Sequence, residues 1–343
     1  MDKIGFGKTT EGEETFLYTI ANHGIRATVT DYGATLVSLY VQKEDGEEVD
    51  VVLGYDDVTG YEKGACFFGC PVGRSGNRIG GATFEINGVT YQMDKNENEN
   101  NLHSGLDFYH NRIWEVEEST EDIITFSLNS PDGDQGFPGE LKVFMTYELT
   151  DDKMFKITYW GTPDQDTIIN LTNHSYFNLN GHDSGNILNH LVTIDGDYYT
   201  KTDEQSIPTG ILVEVDDTPM DFRDSRRIGE DIDSDYEAIV LGQGYDHNWA
   251  LNNDGNFQKV ATAKGDMSGI EMEVYTDLPG MQFYAGNFMD DEKGKEGAIY
   301  PKRGGFCFET QFFPDAIHHE NFASPITKAK EEYHSVTGYR FKG

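Results

Sequence analysis

The run NLTNHSYFNL, residues 170–179, sets an imidazole among side chains that donate and accept hydrogen bonds. In an extended backbone His174, Tyr176 and Asn178 point to one face, with Asn173, Ser175 and Phe177 on the other. A core strand carries apolar groups on its buried face. Here a titratable ring, a phenol and an amide share that row, which suits hydrogen bonding to a polyhydroxylated ligand. FCFETQFF, residues 306–313, supplies a second row: Cys307, Glu309 and Gln311 on one face, against Phe306, Phe308 and Phe312. A carboxylate in so aromatic a segment is expected to be partly desolvated, which raises its pKa toward the range useful to a general base. The expected signature is an acid limb in the pH–rate profile that disappears in Glu309→Gln.

Four further places combine residue types that bind sugars. GRSGNRIGG supplies Asn77 and Arg78 beside glycines that let the backbone approach a ligand. NNLHSG supplies His103, GYDHNW places Asp246 on one strand face with Asn248, and LPGMQFYAGN pairs Gln282 with Tyr284. The arginine turn lacks the Lys and Ser/Thr of a phosphate loop. His103, His174, His247, His318 and His319 are scattered without a metal-binding spacing, and no nucleophile elbow or dinucleotide fingerprint is present. The chemistry left is histidine and carboxylate acid–base work with no cofactor and no metal.

Short alternating segments must hold these groups. Leu141, Val143, Met145, Tyr147 and Leu149 form the cleanest row; Ile25, Ala27 and Val29 form another, as do Phe155, Ile157 and Tyr159, and the pair Met272 and Val274. Turn sequences such as INGVT, PDGDQGFPG and NNDGN separate them. Helical turns are expected only near 58–61 and 228–233. The fold class is therefore all-β, an antiparallel sandwich or barrel, and with no linker or repeat the expectation is one domain over residues 1–343.

The net charge of −35 sets the chain against nucleic acid and anionic membranes as partners, and more weakly against anionic substrates such as sugar phosphates. The acidic residues, including the DKNENENN loop from Asp94, are expected as solvated surface. The first residues have no apolar core of a secretory signal, and no apolar run reaches membrane-spanning length. Cys66, Cys70 and Cys307 cannot all pair within one chain, so free thiols in a reducing, cytoplasmic setting are expected. CFFGC lacks zinc-site spacing.

The motifs NLTNHSYFNL, GRSGNRIGGATFEINGVTYQ, NNLHSG, GYDHNW, LPGMQFYAGNF and GFCFETQFFPDAI, with the tail EEYHSVTGYRF, resemble the aldose 1-epimerases (galactose mutarotases), in the same order, from near Gly33 almost to the end. The resemblance implies a large antiparallel β-sandwich with a sugar in an open cleft. It implies interconversion of the anomers of free aldohexoses such as galactose and glucose by a cofactor-independent isomerase, a monomer or homodimer. By position, Glu309 matches the catalytic base and His174 the catalytic acid; His103, Arg78, Asn77, Asp246 and Gln282 match sugar-binding groups. Asp246 or another carboxylate is expected to hold His174 protonated. Three departures bear on pocket shape: Ser104 where the family has glycine, Ser75-Gly76 where it commonly has Val-Ala, and IHHEN where it often has INHPN. The rival readings are a catalytically silent sugar-binding protein, a glycosidase or lyase using two carboxylates, and a hexose-phosphate mutarotase. A pure binder has no need of both Glu309 and His174. The acidity and lack of a basic cluster count against the phosphate reading, and release of reducing sugar discriminates the glycosidase.

Overall fold

Period-two alternation builds nearly everything in this chain, because a strand with one buried face places every second side chain in the core. Leu141–Leu149 shows it without a break: Leu141, Val143, Met145, Tyr147 and Leu149 are buried and the residues between them are half-buried. The computed structural model describes residues 2–343.

Three larger antiparallel sheets carry the architecture. The first five strands, Asp2–Lys8, Glu14–Asn22, Ile25–Thr30, Leu36–Gln42 and Glu48–Asp50, are joined in sequence order. A nine-stranded sheet runs from Glu115–Ser119 through Ile123–Ser130, Leu141–Leu149 and Met154–Gly161. It continues with Tyr333–Lys342, Glu271–Thr276, Gln258–Lys264, Leu191–Ile194 and Arg226–Arg227. The last strand in sequence thus lies in the middle of this sheet, between Met154–Gly161 and Glu271–Thr276, so the two halves of the chain share one hydrogen-bonded ladder. The third sheet orders Pro208–Glu214, Tyr198–Thr202, Asp246–Ala250, Gly280–Tyr284 and Cys307–Gln311.

One apolar cluster draws on all three sheets, with Val29 and Leu39 from the first, Val143 and Val274 from the second, and Trp249, Phe283 and Phe308 from the third. Each such side chain contributes about 1.5–3 kcal/mol when fully buried. The all-β sandwich expected from the sequence is what forms. The α-helices among the described residues are Val58–Lys63, as expected, and Glu237–Gly242, which was not. The second expected helical stretch, 228–233, is instead turns and bends. Ile228 and Ile232 there are buried in the core as isolated anchors, not as one face of a helix. No helix among the described residues is long and apolar enough to cross a membrane.

Candidate active site

Three neighbouring strands of the third sheet present the catalytic candidates as a grid. Their register aligns Asn248, Gln282 and Glu309 in one cross-strand row and Asp246, Tyr284 and Cys307 in the next. Cys307, Glu309 and Gln311 share a face, as the alternation predicted, while Phe306 and Phe308 enter the core. Side-chain bonds tie the grid together. Gln282 Nε2 donates to Asp246 Oδ1 at 2.7 Å, and Gln311 Nε2 donates to Asn248 Oδ1 at 3.1 Å.

The 170–179 run is not the continuous strand expected. Only Thr172–Asn173 pairs as a strand, with Pro71–Val72. Beyond it the backbone changes partner every residue or two, so no ladder runs. His174 N–H donates to Cys70 O and its carbonyl accepts from Gly69, Tyr176 O accepts from Leu53, and Phe177 exchanges both backbone hydrogen bonds with Phe306. His174 and Tyr176 still face the cleft. Asn178 does not; its amide is buried against Gly185 O and Gly304 O at 3.0 and 2.9 Å.

The third wall is a pair of left-handed residues. Asn77 and His103 have φ of 56° and 54°, a conformation that asparagine and histidine tolerate better than most residues. His103 N–H donates to Asn77 O at 2.9 Å, and Asn77 N–H donates to His103 Nδ1 at 3.1 Å. That second bond decides the tautomer: Nδ1 accepts, so the ring proton sits on Nε2.

These walls enclose a cleft of about 310 Å³, with Asn77, Arg78, His103, His174, Asp246 and Glu309 in its lining. Six of the seven expected residues therefore meet in one place. The seventh, Gln282, stands behind Asp246 and holds it.

Electrostatics inside the cleft follow from burial. Glu309 is 3% exposed, its Oε2 has no hydrogen-bond partner among the described residues, and His174 Nε2 lies 3.7 Å from its Oε1. Burial pushes the Glu309 carboxyl well above the usual carboxylate range; the Asp246 charge pushes the same way and Arg78 opposes. Burial pushes His174 down to about 4. The sequence reading expected Asp246 or another carboxylate to hold His174 protonated; instead burial lowers the ring's pKa and no carboxylate offsets it. Desolvation dominates the ring, and Asp246 acts on Glu309. Both shifts favour the uncharged form, which disposes the pair to share a single proton between its two members.

His103, His174 and Glu309 bring ligand atoms within 4.8 Å of one another, a spacing that raises the question of a metal ion. The tautomer of His103 does not fit that role. Its Nδ1 is occupied by the Asn77 N–H and its Nε2 carries the proton. The ring is built to donate a hydrogen bond into the cleft.

Several groups at the site were not singled out from the sequence. Phe67, at φ 57°, lays its ring along His174 (centroids 5.7 Å apart, planes 26°) and against His103 at 5.1 Å. Glu97 belongs to the acidic loop expected as solvated surface; it lines the cleft and grips Arg78 with both oxygens, Nε at 2.6 Å and Nη2 at 2.8 Å. The signal missed was the asparagine content of that loop. Asn96 Oδ1 accepts from Leu102 N–H and its Nδ2 donates to Leu102 O, while Asn101 Nδ2 reaches Asp94 O and Gly105 O. Such side chains order a loop from within.

The departures from the family pattern act behind the cleft. Ser104, fully buried at φ 60°, does not line it. Its Oγ accepts from Ser75 N–H at 2.9 Å and donates to Ser75 O at 2.8 Å, clasping the turn that presents Asn77 and Arg78. Removing the hydroxyl leaves two buried backbone groups unpaired, so Ser104→Ala should lower the unfolding free energy by about 1–3 kcal/mol in a denaturant titration. Ser104→Gly should lose less, because glycine regains the left-handed backbone freely. In the IHHEN region, the carboxylate of Asp315 accepts from Gly80 N–H at 2.9 Å and from His318 Nδ1–H, at 2.6 Å, behind the same turn.

A family model for aldose 1-epimerase matches residues 17–340. The chain belongs to the aldose 1-epimerase family. It is 38% identical to the human galactose mutarotase over 338 residues, covering 98% of this chain and 97% of that one. It is 35% identical to the Escherichia coli aldose 1-epimerase over 335 residues, 96% of each. Among solved structures, an aldose epimerase homologue from C. elegans superposes with a TM-score of 0.88 at 30% identity, covering 96% of this chain and 99% of that chain. The galactose 1-epimerase of Lactobacillus acidophilus gives 0.86 at 26% identity, covering 99% and 98%. Membership makes this chain an isomerase acting on the anomers of aldoses.

Proposed function

We propose that this epimerase interconverts the α and β anomers of free aldohexoses such as galactose and glucose, with Glu309 as base and His174 as acid. The observation that carries the reading is the buried Glu309–His174 pair, 3.7 Å apart, opening on a cleft lined by hydrogen-bonding groups. A cleft of about 310 Å³ is at the small end of ligand pockets, which run from about 300 to 1,000 Å³, as suits a monosaccharide.

In the reactive form Glu309 is the carboxylate and His174 the imidazolium. Glu309 takes the proton of the anomeric hydroxyl, whose oxygen becomes the carbonyl. The bond from the anomeric carbon to the ring oxygen breaks, and His174 protonates that oxygen. Rotation about the bond between the first two carbons offers the other carbonyl face, and the same transfers in reverse close the ring. After opening, Glu309 is a neutral acid and His174 a neutral ring, the state that burial favours for both. Ring opening therefore discharges a buried ion pair, and the cleft's low polarity assists the step. His103 Nε2–H and the Arg78 guanidinium orient hydroxyls, and Asp246, held by Gln282, accepts from one. All of these groups lie within one chain, so a monomer or each half of a homodimer would carry a complete site. The free thiols Cys66, Cys70 and Cys307 support a cytoplasmic setting.

The proton count sets the pH dependence. A second proton leaves no base and loss of the only proton leaves no acid, so kcat/KM should be bell-shaped. Its acid limb should fall near pH 4, where burial places His174. Its alkaline limb should follow the raised pKa of Glu309, well above the ordinary carboxylate value, so Glu309 shapes the alkaline limb and not the acid limb expected from the sequence. A profile whose alkaline limb lies in the ordinary carboxylate range would contradict the assignment.

Polarimetry on freshly dissolved α-galactose and α-glucose, corrected for the spontaneous reaction and run beside Glu309→Gln, tests the reading. Acceleration lost in the variant supports it. Sugar binding by titration with no acceleration would make the protein a silent binder.

A further inference from the structure

Arg78 is the sole lysine or arginine among the described residues that line the cleft, and its charge is already engaged. Glu97 holds its Nε and Nη2 in a two-pronged carboxylate pair, with the arginine side chain 13% and the glutamate side chain 27% exposed. Such fork-to-fork pairs are directional and strong. The glutamate is fastened in turn. Its backbone exchanges hydrogen bonds with Asn100 at 3.2 and 2.9 Å, and the Asn100 side chain accepts from Gly81 N–H at 2.9 Å and donates to Gln205 at 3.0 Å. The carboxylate thus forms part of the cleft wall and is not a mobile surface charge.

The charges in the cleft then have a simple pattern. Glu97 offsets Arg78, burial favours the uncharged form of both Glu309 and His174, and His103 is a neutral donor. The Asp246 carboxylate makes no ion pair with a lining residue: it is hydrogen-bonded to the neutral amide of Gln282 and feels Arg78 only across the cleft. A sugar entering with a negative group meets net negative charge at short range, and the two-pronged face of the one guanidinium is taken by Glu97, leaving Nη1 to orient a hydroxyl.

We propose that Glu97 is a specificity-determining residue that confines this enzyme to uncharged aldoses and excludes aldohexuronates. The inference rests on the function proposed above and adds the chemical class of sugar the site refuses. Galacturonate is the appropriate probe, because it differs from galactose by a carboxylate in place of one hydroxymethyl group. A unit charge about 7 Å away at an effective dielectric constant of about 20 changes an equilibrium or a rate by roughly tenfold to 100-fold.

The experiment measures kcat/KM for galactose and for galacturonate with wild type, Glu97→Gln and Glu97→Asp, at low and high salt. Wild type should prefer galactose strongly, and the preference should shrink as salt screens the repulsion. Glu97→Gln keeps one acceptor for Arg78 but removes the charge, and should raise the galacturonate-to-galactose ratio roughly tenfold to 100-fold while weakening its salt dependence. Glu97→Asp keeps the charge and should keep the preference even where a shifted Arg78 slows both sugars. A merely structural role for Glu97 would lower both rates together and leave the ratio and its salt dependence unmoved; that result overturns the proposal. Wild type that fails to accelerate galactose mutarotation overturns the proposed function instead. Calorimetric affinities for the two sugars then supply the same ratio, with the same two outcomes for Glu97.

Discussion

Glu309→Gln should lower kcat for galactose mutarotation by about 10²–10⁴-fold, the usual worth of a positioned base, and leave the KM for galactose within a few-fold. The substitution conserves size in a side chain that is 3% exposed, so the cleft keeps its shape and its other donors. The burial that raises this carboxyl opposes its ionised form, so the neutral amide removes a cost from the fold. Unfolding in denaturant should show the variant at least as stable as wild type, a common relation at catalytic positions. Loss of rate together with loss of sugar affinity would point to a binding role for Glu309 and would overturn its assignment as base.

His174→Asn should show the second large effect, again about 10²–10⁴-fold in kcat, with an unchanged far-ultraviolet dichroism spectrum. Its diagnostic is the direction of the residual pH dependence. Without the imidazole, Glu309 still serves as base, and it does so only when deprotonated. Its folded pKa is raised, so the remaining activity should climb as pH rises through that value, where wild-type activity falls. Near-wild-type rates, or a residual rate that falls with rising pH, would refute the pairing of these two groups.

How far the sequence reveals this site depends on whether local pattern or distant pairing does the positioning. Glu309 was legible because period-two alternation survives intact in Cys307–Gln311. The row through His174 was half legible. Its residues leave the strand ladder after Asn173 and take partners from 69–70, then 53, then 306, which no periodicity encodes. Glu97 was illegible as a wall residue, because an acid among asparagines reads as solvated until its arginine, 19 positions away, is found in contact. Ser104 was recognised as a departure, yet only the fold shows its hydroxyl turned away from the cleft onto Ser75. The helix Glu237–Gly242 went unseen because it spans under two turns and starts at Tyr236, which gives no side-chain cap, whereas the equally short Val58–Lys63 starts from a capping Asp57.

The bridge between Phe177 and Phe306 has a consequence for how this enzyme can change. Each aromatic residue is buried and donates one backbone hydrogen bond to the other, at 2.7 and 2.9 Å. His174 stands three positions before the first and Glu309 three positions after the second. The proton-handling pair is thus spaced like the tips of a caliper whose pivot lies in the core. The selective groups, Glu97 and Arg78 among them, hang from rim segments that do not form this pivot. Mutations at the rim can therefore retune which sugar is admitted while the distance between acid and base is inherited unaltered. Innovation in substrate choice and conservation of chemistry are assigned to different parts of the backbone.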